Sequence, residues 1–106
     1  MKTEQKNQLA MRGISTKDAA AIRVKAARLS IKMTQKELGE KIHRQMAQIC
    51  NIEKGLSYPP WTLMVYLYEE HRIDINFIVS GSYSTLPADV QEQLFSTLSG
   101  LQPKAV

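Results

Sequence analysis

The sequence predicts an all-α protein built around one small hydrophobic core. Apolar residues recur at spacings of three and four along most of the chain, and no segment alternates as a half-buried strand would. Residues typical of helix starts and helix ends separate these periodic segments. A length of 106 residues suits one domain with an arm and a tail, and it excludes most two-domain enzymes.

Three segments are predicted along the chain. Residues 1–14 are polar without clear periodicity, so we expect a flexible N-terminal arm. Residues 15–81 contain five predicted helices, which we expect to form one domain. Residues 82–106 contain a loop, a final helix and a tail, for which we expect a role in dimerisation.

The first predicted helix covers about residues 16–30. Asp18 is placed to cap its first backbone N–H groups. Three cationic residues are expected on its outer, exposed face, namely Lys17, Arg23 and Lys25. The spacing of the apolar residues defines the inner face, which consists of Ala20, Val24, Ala27 and Ile31.

Two short helices are predicted next. Thr34 and Glu37 form a capping-box pattern that starts a helix over about residues 35–42. The three residues 43–45 interrupt it, and a second helix follows over about residues 46–54, ending at Gly55. Its inward pair is Ile49 and Ile52.

The remaining predicted helices are strongly apolar. Residues 60–71 are apolar almost all round, which predicts burial on more than one side. Asp74 caps a short helix that ends at Gly81, and Pro87 opens a final helix to about residue 99. The final helix carries a stripe too apolar to lie exposed, and we expect it to pack in cis or across a dimer axis. The stripe consists of Val90, Leu94, Leu98 and Leu101, with Phe95 beside it.

Charge is distributed unevenly along the chain. Residues 1–55 contain 12 Lys and Arg against 5 Asp and Glu, a net charge of +7, whereas residues 56–106 contain 2 against 5, a net charge of −3. A basic half joined to an acidic half is typical of a protein that meets a polyanion at one end. A solvated basic surface without a partner gives the same charge pattern.

Two short helices joined by a three-residue turn in a basic helical domain indicate a helix-turn-helix. In this motif the second helix enters the DNA major groove, which is about 12 Å wide. Amide side chains on this helix can pair with adenine, and Met46 and Ala47 can meet a thymine methyl group. Arg44 and Lys54 are better placed for phosphates. The outward residues are Ala47, Asn51 and Lys54, and Gln48 and Cys50 flank them. Met46 lies in the first turn, where it can either contact a base or pack in the core.

The sequence resembles the phage repressor/Cro (XRE-type) helix-turn-helix family over about residues 20–81. The resemblance rests on a Thr-Gln opening, a small residue four positions later, a pair of isoleucines and an Ile-Glu-x-Gly ending. These positions are Thr34, Gln35, Gly39, Ile49, Ile52, Glu53 and Gly55. It implies a five-helix repressor-type domain, here with an additional C-terminal helix.

The resemblance also implies a function and roles for individual residues. The expected protein is a cytoplasmic, nucleoid-associated homodimer of bacterial or phage origin that binds double-stranded DNA as a transcriptional repressor without a cofactor. It implies that Gln35 binds a phosphate and that Arg28 and Glu53 form a buried ion pair. The complete expected DNA-binding set is Thr34, Gln35, Arg44, Gln45, Met46, Ala47, Gln48, Asn51 and Lys54.

Four positions depart from the family pattern. His43 stands where glycine is usual in the turn, and a positive φ there is tolerated by His at a cost. Arg44 replaces an apolar residue, and Gln45 is a poor cap for the second helix. Gly39 replaces the usual alanine, which keeps a close helix approach but weakens its own helix.

Other functional classes find little support in the sequence. His43, His71 and Cys50 are the candidates for metal ligation or nucleophilic chemistry, and their spacing fits no zinc site, so we expect neither an enzyme nor a metalloprotein. No apolar run reaches the roughly 20 residues of a membrane span, and one cysteine excludes an intrachain disulfide. An alternative function is a helical module that binds a regulatory protein, antitoxin-like or anti-activator, with secondary DNA binding.

Overall fold

Seven helices make up the part of the chain that the computed structural model describes, residues 1–101, and this part contains no strand. The predicted all-α class is therefore confirmed for these residues. The helices are α1 Thr3–Ala10, α2 Lys17–Ser30, α3 Gln35–Lys41, α4 Met46–Glu53, α5 Trp61–His71, α6 Ile75–Ser80 and α7 Ala88–Leu101.

Side-chain caps fix where several of these helices begin. The Thr34 hydroxyl accepts from the Glu37 N–H at 3.1 Å, and the Glu37 carboxylate accepts from the Thr34 N–H at 3.0 Å, so the predicted capping box is present. These bonds lower the pKa of Glu37. At α2 the cap is Thr16, which accepts from Ala19 at 3.2 Å, and the expected cap Asp18 lies inside the first turn.

The core forms around α2, which packs against α4, α6 and α7. The predicted inward residues of α2 and α4 are buried, except that Ile31 is half-buried at the end of α2. The small side chains of α2 allow its three neighbours to approach it closely. Fully buried core residues include Val24, Ala27, Leu38, Ile49, Leu63, Phe77 and Leu94.

The N-terminal segment differs from the expected flexible arm. Residues 3–10 form α1, which packs against α7, and Ala10 is completely buried. The helix ends at Met11, which adopts a left-handed conformation with φ +52°. The physical reason for the difference is tertiary, because the helix carries little apolar periodicity and depends on α7 for its packing.

Arg23, expected on the exposed outer face of α2, is completely buried. Within residues 1–101 its guanidinium has no carboxylate partner, and backbone carbonyls accept its hydrogen bonds instead, which makes the burial of this charged group possible. Burial lowers the pKa of Arg23. The five accepting carbonyls belong to Ala10 at 2.9 Å, Met11 at 2.7 Å, Ile14 at 2.7 Å, Ile78 at 3.3 Å and Val79 at 3.2 Å.

The apolar stripe of α7, expected at a dimer interface, lies inside the chain's own core. Helices α2 and α1 cover it, so four of its five members are buried and Leu101 is half-buried. Of the two arrangements expected for this stripe, the structure shows packing in cis, which explains its apolar character and leaves the four buried side chains unavailable as a surface interface. The buried members are Val90, Leu94, Phe95 and Leu98. The last part of the predicted segment, residues 102–106, lies outside the described residues.

Helix α5 is less buried than predicted. Leu63, Met64 and Leu67 face the core, but Trp61 is 64% exposed and Tyr68 is 57% exposed. Because α7 packs on α2 and α1, the outer face of α5 keeps its aromatic side chains at the surface.

Candidate functional site

The connection between α3 and α4 is a tight turn over residues 42–45. His43 adopts φ +57°, the left-handed conformation expected for this position. The Arg44 N–H then donates to the Gly39 carbonyl at 2.8 Å, which folds the turn back onto α3. The side chains of His43 and Arg44 are exposed.

Gly39 is what allows the turn to fold so closely. A Cβ atom at this position would stand 2.7 Å from the Arg44 carbonyl oxygen, closer than real contacts permit. The sequence predicts a close helix approach at Gly39. The group that approaches it is the backbone of the turn rather than a second helix.

The first turn of α4 is held from within the helix. Gln45 at the N-cap position makes no capping bond with its side chain, as expected of a poor cap. Instead the Gln48 side-chain oxygen accepts from the Gln45 N–H at 2.9 Å. The Gln48 oxygen therefore uses one of its two lone pairs at the helix start, and the side chain keeps its two amide N–H donors.

Helix α4 separates cleanly into a buried and an exposed side. Ile49 and Ile52 are buried, Cys50 is half-buried, and Met46 is 54% exposed, so Met46 belongs to the surface and not to the core. The structure brings the outward residues of the expected DNA-binding set together on one surface. The exposed members are Gln45, Met46, Ala47, Gln48, Asn51 and Lys54.

An ion pair anchors α4 from beneath. Arg28 on α2 donates to both carboxylate oxygens of Glu53, from Nε at 2.7 Å and from Nη2 at 2.9 Å. The two side chains are only 10% and 4% exposed. The pair that the family resemblance implied is thus present, and it is bidentate, the stronger geometry for such a pair.

Gln35 is joined to the same carboxylate. Its side-chain N–H donates to Glu53 Oε1 at 3.2 Å, and Gln35 is half-buried. The expected phosphate role must therefore use its second amide N–H. Arg28 also donates to the Met33 carbonyl at 2.9 Å, so the network connects α2, the start of α3 and the end of α4.

A shallow groove of about 300 Å³ runs beside α4. Its lining includes Arg44, Gln48 and Asn51, together with Ser57 and Tyr58. The last two were missed by sequence analysis. Their position shortly after the helix-ending Gly55, which adopts φ +77°, was the available signal, because a left-handed residue reverses the chain alongside the helix it ends.

Exposed cations lie at both ends of α4 and on α3, which also carries the exposed carboxylates of Glu37 and Glu40. Arg44 precedes α4, Lys54 follows it, and Lys36 and Lys41 lie on α3. The Glu53 charge is compensated by Arg28. The surface of α4 between Gln45 and Glu53 carries no exposed charge, and cations lie at both of its ends.

The residues considered for catalysis lie on separate elements. His43 is in the turn, Cys50 is half-buried in α4, and the His71 imidazole is 3.1 Å from the Tyr66 hydroxyl at the end of α5. Burial lowers the pKa of His71. Within residues 1–101 no three His, Cys, Asp or Glu side chains converge as metal ligands would.

A second surface feature lies on the far side of the turn. A depression of about 390 Å³ is lined by Lys41, Ile42, His43, Trp61, Thr62, Val65 and Tyr66. Most of its lining atoms belong to apolar or aromatic side chains. It joins the exposed Trp61 to the turn between α3 and α4.

None of the helices described in residues 1–101 combines the length and the apolarity that crossing a bilayer requires. No protein-family model, curated protein or solved structure matches the chain.

Proposed function

We propose that this protein is a sequence-specific regulator of transcription that binds double-stranded DNA through α4. In this proposal α3, the turn and α4 form a helix-turn-helix, and α4 enters the major groove. The observation that carries it is the arrangement of α4. An ion pair holds the helix rigidly from beneath, its outer face presents uncharged side chains that can read bases, and cations lie at both ends.

Each part of this surface has a separate task in the proposal. Arg44 and Lys54 bind phosphates on either side of the groove, and the start of α3 at Thr34 and Gln35 approaches the backbone. Gln48 and Asn51 face base edges, and Met46 and Ala47 offer apolar contact to thymine. Gln45 contributes through its position at the start of α4.

The domain organisation follows the family resemblance. In this proposal helices α2 to α6 are the five helices of a repressor-type domain, and α1 and α7 are additions at its ends. In this proposal the protein represses transcription by binding tightly to a promoter and blocking access to it. Because one short helix reads about half a typical operator, we propose a homodimer on two half-sites about 34–36 Å apart.

Binding measurements against labelled duplexes test the proposal. Flanking genomic DNA and an unrelated duplex of equal length are titrated at several salt concentrations. Specific binding should exceed non-specific binding by about 10³-fold or more. Lys54→Ala should weaken binding to both duplexes and reduce the salt slope by about one. Gln93→Ala, an exposed position on α7, is the matched control. Equal affinity for both duplexes would refute sequence-specific binding.

A helical module that binds a regulatory protein is the second candidate. The exposed Trp61 and Tyr68 on α5 favour it, because aromatic side chains are enriched at protein interfaces. Sedimentation at tens of micromolar compares the wild type with Trp61→Ala and Tyr68→Ala. If the wild type is a dimer and these variants are monomers, the α5 face is the homodimer interface. A monomer that binds no DNA favours the second candidate.

A further inference from the structure

We infer that α4 reads A·T base pairs and that Asn51 is the residue that selects adenine. This inference rests on the proposed DNA-binding function and adds the class of sequence that the site takes. It depends on which side chains of α4 are exposed and which of their hydrogen-bonding groups the fold already uses.

The exposed face of α4 lacks the side chains that read G·C pairs. Guanine is read most often by Arg or Lys, and cytosine by the carboxylate of Asp or Glu. Between Gln45 and Glu53 there is no Lys or Arg. The one carboxylate in that stretch, Glu53, is nearly buried and accepts from Arg28 and Gln35. Amide and apolar side chains remain, and these match adenine and the thymine methyl group.

The cations that could read guanine lie outside this stretch. Helix α4 has eight residues and is therefore about 12 Å long. Arg44 precedes it by two residues and Lys54 follows directly after its end. These positions are at the rim of the surface, where a cation meets the DNA backbone rather than the centre of the groove.

The two amides on α4 are not equivalent. Gln48 already accepts a hydrogen bond from the Gln45 N–H, so its oxygen serves the start of the helix. Asn51 is exposed, and its side chain has no hydrogen-bond partner within residues 1–101. Its oxygen and its N–H₂ group are both free, and bidentate pairing with the N6 and N7 atoms of adenine requires both.

Selection from a randomised duplex library identifies the preferred sequence. The full chain is mixed with the library at low salt, and bound duplexes are amplified and sequenced. The expected result is an A·T-rich site with adenine at one position. Replacing that pair by G·C should weaken wild-type binding about 5- to 150-fold, the discrimination that one bidentate contact supplies.

Two variants connect this preference to a residue. Asn51→Ala should lose discrimination at that one base pair and keep it elsewhere. Gln48→Ala should weaken binding but keep discrimination at that one base pair, because the Gln48 oxygen supports the start of α4. Both positions are exposed, and thermal unfolding followed by circular dichroism verifies that each variant folds.

The outcomes separate the inference from the proposed function. Selection of a G·C-rich site, or unchanged discrimination in Asn51→Ala, would overturn the adenine assignment while sequence-specific binding stands. Retention of the library with no sequence enriched, or no retention at all, would overturn both. Loss of discrimination in Gln48→Ala rather than in Asn51→Ala would move the role to Gln48 and refute the assignment.

Discussion

Arg28 and Glu53 form a bidentate ion pair between residues 25 positions apart, with nitrogen–oxygen distances of 2.7 and 2.9 Å. The pair lies directly under the proposed DNA-reading surface and fixes α4 to α2. Its two charges are almost completely removed from solvent, so each depends on the other.

Removing one member of this pair should destabilise the fold strongly. We expect Arg28→Met to lower the free energy of unfolding by about 3–5 kcal/mol, because the Glu53 carboxylate remains buried without its partner. The double variant, with Met at both positions, should recover part of the loss. Urea unfolding of the four proteins in this double-mutant cycle provides the measurement. A loss below about 1 kcal/mol in Arg28→Met would contradict the role given to the pair.

Gly39→Ala should destabilise the protein although alanine is the better helix former. Helix propensity favours alanine by about 1 kcal/mol. The new Cβ would meet the Arg44 carbonyl at 2.7 Å, and backbone cannot move away as a side chain can, so we expect a net loss of about 1–3 kcal/mol. Gly100→Ala is the control, since a Cβ there meets nothing within 4 Å. Thermal unfolding should show a lower Tm for Gly39→Ala and an unchanged or higher Tm for Gly100→Ala.

Leu94→Ala should destabilise the monomer and leave the oligomeric state unchanged. Leu94 is completely buried between α7 and its neighbours in the same chain, so its removal creates a cavity worth about 2–5 kcal/mol. Ser96→Ala, an exposed neighbour on α7, is the control. Unfolding and sedimentation are measured on the same samples. A stable variant with an altered oligomeric state would place Leu94 at a subunit interface after all.

Stability should fall as the pH is lowered from about 7 to 5, and His71 should cause part of this fall. Burial lowers the pKa of His71 in the folded protein, with Glu70 opposing and Lys41 assisting the shift. The unfolded chain therefore binds more protons than the folded chain in this range. The free energy of unfolding consequently decreases as the pH is lowered. His71→Gln should make the dependence on pH flatter. An unchanged slope between pH 7 and 5 in the variant would contradict this assignment.

Helix-capping residues predicted the helix starts well, because a cap and the backbone N–H group that it binds lie within four consecutive residues. Thr34 and Glu37 satisfy each other within one turn, and Asp74 accepts from the Phe77 N–H at 3.0 Å, so neither depends on the rest of the fold. The burial of Ile49 and Ile52 also followed from spacing alone. The turn at His43 was foreseen through the family resemblance, which supplied the expected positive φ.

Tertiary effects account for what the sequence did not predict. Helix α1 lacks a clear apolar period, and its order depends on tertiary contacts, namely its packing on α7 and the hydrogen bond from Arg23 to the Ala10 carbonyl. Arg23 was expected in solvent because its charge suggested exposure, but carbonyls from two distant segments satisfy it. The spacing of the α7 stripe predicted that it is buried. It did not predict which surface covers the stripe, because that depends on where α1 and α2 lie in the fold.

The contacts of Arg23 set a condition on how the chain can fold during synthesis. Its hydrogen bonds to Ile78 and Val79 span 55 and 56 positions of sequence, whereas those to Ala10 and Ile14 span 13 and 9. A growing chain can satisfy the near acceptors early, but the far ones exist only after residue 79 has left the ribosome. Until then the guanidinium must stay hydrated, so α2 cannot bury its full core side. The core around Arg23 can therefore be completed only after residue 79 has left the ribosome.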